Sequence, residues 1–273
     1  MRKLLSLLAA SLAATLLLTA CSGGSSGGDS KSSNKIVVGA SPVPHAKILE
    51  FVRDNLAADA GIELEIKEFD DFTTPNIALS EGSIDANYFQ HLPYLEEEQS
   101  TKGYNFSHGE GIHIEPFTVF SSKYQSLEEV PDGATIAITN DVSNQYRALK
   151  LLETAGLLQN LSADTAVATL TPEQNPRGFR FEENAPEVIV QLRDDAAIDL
   201  AFINGNFLLS AGLTTEGALL SEQVEGNPYA NLLVWRADVD NPSVQKLDEL
   251  LHSQKVKDYI KHTWPSGEVT AAN

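Results

Sequence analysis

Residues 85–95, Asp-Ala-Asn-Tyr-Phe-Gln-His-Leu-Pro-Tyr-Leu, decide how the rest of this chain is read. Residues 83–87 read as a short strand leaving Gly82. Leu92-Pro93 opens a helix, with proline in the first turn where its missing N–H costs nothing. Between strand and helix stand Phe89, His91 and Tyr94, large rings that an ordinary turn has no reason to carry. Open α/β sheets place ligands at the carboxyl ends of their strands, and a small-molecule pocket needs aromatic walls with a few polar groups. Two readings of the rings stand open at this point, a ligand pocket or the cap of a local core.

Outward from this stretch, strands and helices alternate as in α/β layers around a largely parallel sheet. Strands are expected at 35–39 and 62–66. From Pro44 a helix puts Ile48, Val52 and Leu56 on one face and stops near Gly61, and a short helix spans 75–81. Residues 112–120 form a long extended segment broken by Pro116. A second series follows, with strands at 134–138 and 198–203 and helices at 144–156 and 186–192. Residues 229–235 are extended again, and 242–262 are helical. The extended segments near 114–120 and 230–235 bracket the second series. This predicts an α/β, two-lobe periplasmic-binding-protein-like fold of type II, with lobes joined by two crossover strands and a ligand cleft that closes by hinge motion. The lobes are expected at 35–117 with 233–273, and at 118–232.

The N-terminus addresses location. Arg2 and Lys3 precede an uncharged apolar run over 4–18, which ends Leu-Thr-Ala-Cys21. The run is shorter than the roughly 20 residues of a membrane span, so it reads as an export signal. Ending on Cys21, it is similar to a bacterial lipoprotein signal, cleaved after residue 20, with Cys21 then acylated. Residues 21–34, rich in Ser and Gly, are the expected flexible tether. Two Gly-x-Ser-x-Gly matches inside it lack the strand and helix that a hydrolase nucleophile requires.

With 19 Lys+Arg against 38 Asp+Glu, the formal charge is −19. Removing Arg2 and Lys3 with the signal makes the chain more acidic still. Such a surface does not seek nucleic acid or anionic lipid headgroups. A 42% hydrophobic content supplies cores, so the acidity is not that of a disordered chain. Cys21 is the only cysteine, which excludes internal disulfides and thiolate chemistry elsewhere.

Several motifs occur in order: Ser-Pro-Val-Pro-His-Ala-Lys-Ile-Leu over 41–49, Pro-Asn-Ile-Ala-Leu-Ser-Glu-Gly over 75–82, and the opening stretch. Asn-Asp-Val-Ser-Asn over 140–144 with Arg147, Ile203-Asn204, and Asn-Pro-Tyr-Ala-Asn over 227–231 complete the set. With the lipoprotein signal and the two-lobe pattern, the chain resembles the methionine-binding lipoproteins of bacterial ABC importers, the MetQ/NlpA family, through essentially everything after the tether. The resemblance implies a substrate-binding lipoprotein, not an enzyme, that captures L-methionine, with D-methionine or a methionyl dipeptide as further candidates. Its implied partners are a membrane permease with its ATPase, and the membrane itself through lipid on Cys21. No cofactor is implied. The expected location is the cell envelope, anchored to a bacterial membrane and facing the periplasm or the exterior.

The resemblance also assigns roles. Arg147, in the first turns of a helix, would clamp the ligand carboxylate bidentately, helped by backbone N–H groups around Asn144. Asn204 and Asn231 would bond the ammonium or carboxylate. Phe72, Phe89, His91 and Tyr94 would pack on the thioether, with Phe72 making no hydroxyl bond. As a ligand contact alone, Arg147 is expected to be removable without loss of stability in the empty protein. Without the resemblance, Arg147 also fits a surface helix position, and Asn204 a turn.

A zinc- or manganese-binding lipoprotein of a metal importer is the rival reading. It would use His45, His91, His113 and Glu115, although divalent sites need converging ligands with supporting partners. No Ser/His/Asp set, carboxylate dyad or zinc signature sits in a context that suits an enzyme. A surface-interaction role is compatible with ligand binding.

Overall fold

The computed structural model describes residues 34–163 and 165–272. The expected signal peptide, Cys21 and the tether up to residue 33 lie outside the described residues.

The strand β1 (Lys35–Ala40) buries Ile36, Val38 and Ala40 completely. Strands of this kind belong inside a sheet covered on both faces, and β1 lies between two parallel neighbours, β2 (Glu63–Glu68) and β3 (Ala86–His91). Next come β4 (Phe106–Ile114) and, past a crossover at Glu115-Pro116-Phe117, β5 (Thr118–Phe120). The strand β5 enters a second sheet with β6 (Thr135–Thr139), β7 (Arg180–Asn184), β8 (Leu200–Ile203) and β9 (Leu220–Ser221), in the order β7-β6-β8-β5-β9. After a second crossover, β10 (Asn231–Arg236) and β11 (Thr270–Ala271) return to the first sheet, ordered β11-β4-β10-β3-β1-β2.

Helices cover both sheets. Those of the first lobe include α1 (Lys47–Val52), α2 (Thr74–Ser80) and α3 (Leu92–Lys102). The second lobe contributes α4 (Val142–Thr154), α5 (Pro186–Leu192) and α6 (Gly205–Ser210). The chain closes with α7 (Pro242–Leu251) and α8 (Gln254–Thr263), packed back on the first lobe through Leu247 and Ile260. Each lobe keeps its own core, around Ile36, Ile48, Leu49 and Val52 in one and Phe117, Ile136, Leu149 and Phe202 in the other. Each such side chain contributes about 1.5–3 kcal/mol on burial.

The structure departs from the sequence expectation in instructive places. Residues 83–85 are not strand, and β3 starts at Ala86 and runs to His91, directly into α3. Phe89 and His91 therefore sit on the strand itself, with no loop between strand and helix, because β10 pairs with β3 as far as His91. The extended segment 112–120 is two strands in two different sheets, parted at the crossover. The helix expected over 242–262 breaks at His252-Ser253, where the Ser253 hydroxyl accepts from Val256 N–H and starts α8.

Candidate ligand site between the lobes

Strand register brings polar side chains together. Asn231 opens β10 opposite His91 at the end of β3 and opposite His113 near the end of β4. From the second lobe come Asn144 and Arg147 of α4, and Asn204 at the end of β8. With Phe72, Phe89 and Tyr94 they line one small cavity, which therefore gathers all eight residues expected from the sequence to bind the ligand. Gln90, Glu115, Gly205 and Asn206 line it too. Of these four the sequence points only to Glu115, and there as a metal ligand.

One side of the cavity is aromatic. The Phe72 ring stands 5.9 Å from Phe89 and from Tyr94, and 4.9 Å from Phe207 of α6. The Tyr94 hydroxyl donates to the Phe72 carbonyl at 3.0 Å, which satisfies its polar end and leaves the ring as apolar surface. Behind this wall, Asn76 of α2 exchanges side-chain hydrogen bonds with Gln90 and accepts one from Asn87, tying α2 to β3.

The other side is polar and largely fixed by the protein. His91 caps α3, its Nδ1 accepting from Tyr94 N–H at 3.2 Å. The neutral ring then carries its proton on Nε2, which donates to Asn144 Oδ1 at 3.1 Å. Burial first, and the Arg147 charge second, lower the His91 pKa to about 3, so the ring stays neutral at physiological pH. Asp141 caps α4 and takes both the backbone and side-chain N–H of Asn144, which turns Asn144 Oδ1 toward His91 and Asn204. Asn204 donates its Nδ2 there at 3.3 Å and does not cap α6, and its Oδ1 is buried without a partner. Asn231 accepts from His45 Nε2 at 3.0 Å.

Arg147 corrects the expectation of a residue held for the ligand alone. Its Nε lies 3.0 Å from Glu222 Oε1, its Nη2 lies 2.5 Å from Glu222 Oε2, and Nη2 also donates to the Glu115 carbonyl at 2.8 Å. The guanidinium carbon sits 5.1 Å from the Phe117 ring and 4.5 Å from Tyr229. Glu115 and Phe117 belong to the first crossover, Glu222 and Tyr229 to the second, so one side chain grips both. Only Nη1 is unengaged among the described residues. No sequence signal marks Glu222, which directly follows β9, 75 residues away.

The rival metal set is only partly assembled. His45, His113 and Glu115 are buried with ligand atoms within 4.8 Å of one another, while His91 is spent on Tyr94 and Asn144. A metal on His45 Nε2 would leave Nδ1–H needing a buried acceptor, and Nδ1 has no partner.

Two α/β lobes closed over a small cavity and joined by two crossovers define a two-lobe solute-binding protein. More particularly, the chain belongs to the NlpA lipoprotein family, whose profile matches residues 36–272. It is 38% identical over 232 residues to the methionine-binding lipoprotein MetQ of Bacillus subtilis, covering 83% of this chain and 84% of that one. A solved lipoprotein from Actinomyces odontolyticus superposes with a TM-score of 0.82 at 48% identity, covering 88% of this chain and 99% of the other. A nutrient-binding protein from Burkholderia cenocepacia, solved bound to methionine, gives a TM-score of 0.80 at 34% identity over 87% of this chain and all of its own. Among the described residues no helix is long and apolar enough to cross a membrane.

Proposed function

We propose that this chain is the substrate-binding lipoprotein of an ABC importer. In this reading it captures L-methionine between lobes bounded at 35–117 with 233–273 and at 118–232, and hands it to a permease and its ATPase. It would be held at the envelope by lipid on Cys21. The supporting observation is the set of polar groups left unspent around the cavity. Arg147 Nη1 and the Asn231 amide nitrogen are donors with no protein partner among the described residues, and Asn204 Oδ1 is a buried acceptor with none. Two donors and an acceptor beside an aromatic wall match a carboxylate, an ammonium and a thioether. Sulfur on an aromatic edge adds about 0.3–1.5 kcal/mol per contact. The solved relative from B. cenocepacia, bound to methionine, points the same way.

A thermal-shift panel tests the proposal. L-Methionine at a hundred times its Kd should stabilise by about 2.7 kcal/mol, or roughly 5–10 °C for a chain of this size. Leucine, branched at its γ carbon, should bind about ten- to two-hundredfold more weakly. D-Methionine and glycyl-methionine complete the panel, and a shift with the dipeptide alone would keep the family and remove the free amino acid. The gathering of His45, His113 and Glu115 favours zinc or manganese as a second reading. A shift with zinc and with no methionine compound would establish that reading instead.

A further inference from the structure

Glu115 is the only acidic side chain among those lining the cavity, and it is 5% exposed. Its Oε1 accepts from His113 Nε2 at 2.8 Å and lies 3.3 Å from His45 Nε2, and the backbone N–H of Asn206 also donates to the carboxylate. Behind His113, the Tyr88 hydroxyl donates to Nδ1 and fixes which nitrogen carries the proton. These groups are two imidazoles and a backbone N–H. No lysine or arginine among the described residues pairs with the Glu115 carboxylate. Arg147 donates to the Glu115 backbone carbonyl and is paired with Glu222, so its charge acts on the Glu115 carboxylate only through space.

The cavity is thus flanked by one guanidinium and two carboxylates, and Glu115 is the carboxylate without a cation. Gly205 lets α6 lie directly against it, since a Cβ there would stand 2.7 Å from Glu115 Cβ and 2.9 Å from Oε2. The neighbouring Asn204 Oδ1 is a buried acceptor without a donor. A buried carboxylate at the wall of a cavity with no lysine or arginine paired to it is a receptor for a cation, because a buried charge must be paired to be tolerated.

We propose that Glu115 receives the α-ammonium group of the ligand, so that the site selects amino acids over the corresponding acids that lack the amine. The proposal rests on the amino-acid reading above and adds the residue that recognises the amine.

Calorimetry with L-methionine and with 4-(methylthio)butanoate, which keeps the thioether and carboxylate but has no amine, tests it. The wild-type chain should prefer methionine by about thirtyfold or more, the low end for truncating a buried charge pair. In Glu115→Gln, of matching shape, the preference should fall to within about threefold. Glu115→Asp keeps the charge and should keep a preference, which separates charge from packing. Wild-type protein that binds both compounds equally overturns the proposal without recourse to any variant. A Glu115→Gln chain that retains the wild-type preference overturns it as well, and so does one that loses affinity for both compounds in equal measure. Wild-type protein that binds neither compound overturns the methionine reading itself, and that outcome is distinct from two ligands that bind alike.

Discussion

Arg147→Ala should destabilise the empty protein as well as abolish binding. The side chain is 4% exposed and Glu222 13%, so the pair is nearly dry. Truncation removes every bond from Nε and Nη2. Glu222 is then left with the Phe117 N–H at 3.1 Å, and the Glu115 carbonyl loses the 2.8 Å bond from Nη2. Breaking a buried ion pair by removing one partner costs about 3–5 kcal/mol, and the residual exposure of Glu222 argues for about 3 of these. At roughly 2–4 °C per kcal/mol in a chain of this size, ligand-stripped Arg147→Ala should melt about 6–12 °C below wild type. Scanning calorimetry in ligand-free buffer measures it. Adding Glu222→Ala removes the stranded carboxylate, so the double variant should melt above the single one. If Arg147→Ala melts within about 2 °C of wild type, a change below 1 kcal/mol, the guanidinium does not hold the crossovers together.

Other outcomes follow from the same structure. His45, His91 and His113, with pKa values near 4, 3 and 3, bind protons in the unfolded chain at higher pH than in the folded one. Stability therefore falls as pH drops below about 6.5, by up to about 1.4 kcal/mol per histidine at pH 5.5. Burial raises the Glu115 pKa, which acts in the opposite sense; a melting temperature equal at pH 7.5 and 5.5 would refute the buried neutral histidines. Phe72→Ala opens the wall between Phe89, Tyr94 and Phe207. It should weaken methionine by about ten- to a hundredfold while narrowing its advantage over leucine, and an unchanged ratio in competition binding would remove Phe72 from side-chain selection. Two or more acyl chains anchor stably where one is marginal, so Cys21→Ala should move the protein from the membrane fraction to the soluble one with ligand affinity intact.

The rings of Phe89, His91 and Tyr94 stood out in the sequence, but whether they walled a pocket or capped a local core was decided only by the cavity they line. That Phe89 and His91 sit on a strand was not legible, since the strand extends to His91 only through pairing with β10, whose residues lie about 140 positions further on. The first half of β4 was hidden for a similar reason. Its run Ser-His-Gly-Glu-Gly over 107–111 has little intrinsic strand preference. The glycines are there for close approach, since a Cβ would meet Asp248 Oδ1 at 2.1 Å from Gly109 and Ala230 Cβ at 2.5 Å from Gly111. The polar strand β7, three of whose five residues are charged, likewise offers no apolar alternation to read. Glu222 became visible only when two crossovers met at one guanidinium.

That meeting point has a consequence for how the scaffold can be changed. A residue that joins both hinge segments cannot be exchanged to suit a new ligand head group without also altering how the lobes sit and move. The aromatic wall shows no such double duty, since the ring contacts of Phe72 among the described residues are with Phe89, Tyr94 and Phe207, none of which belongs to a crossover. Redesign of this pocket toward other amino acids therefore has one adjustable end and one that should be left alone. Libraries confined to Phe72 and Phe89 should yield folded, closing proteins at a far higher rate than libraries that include Arg147.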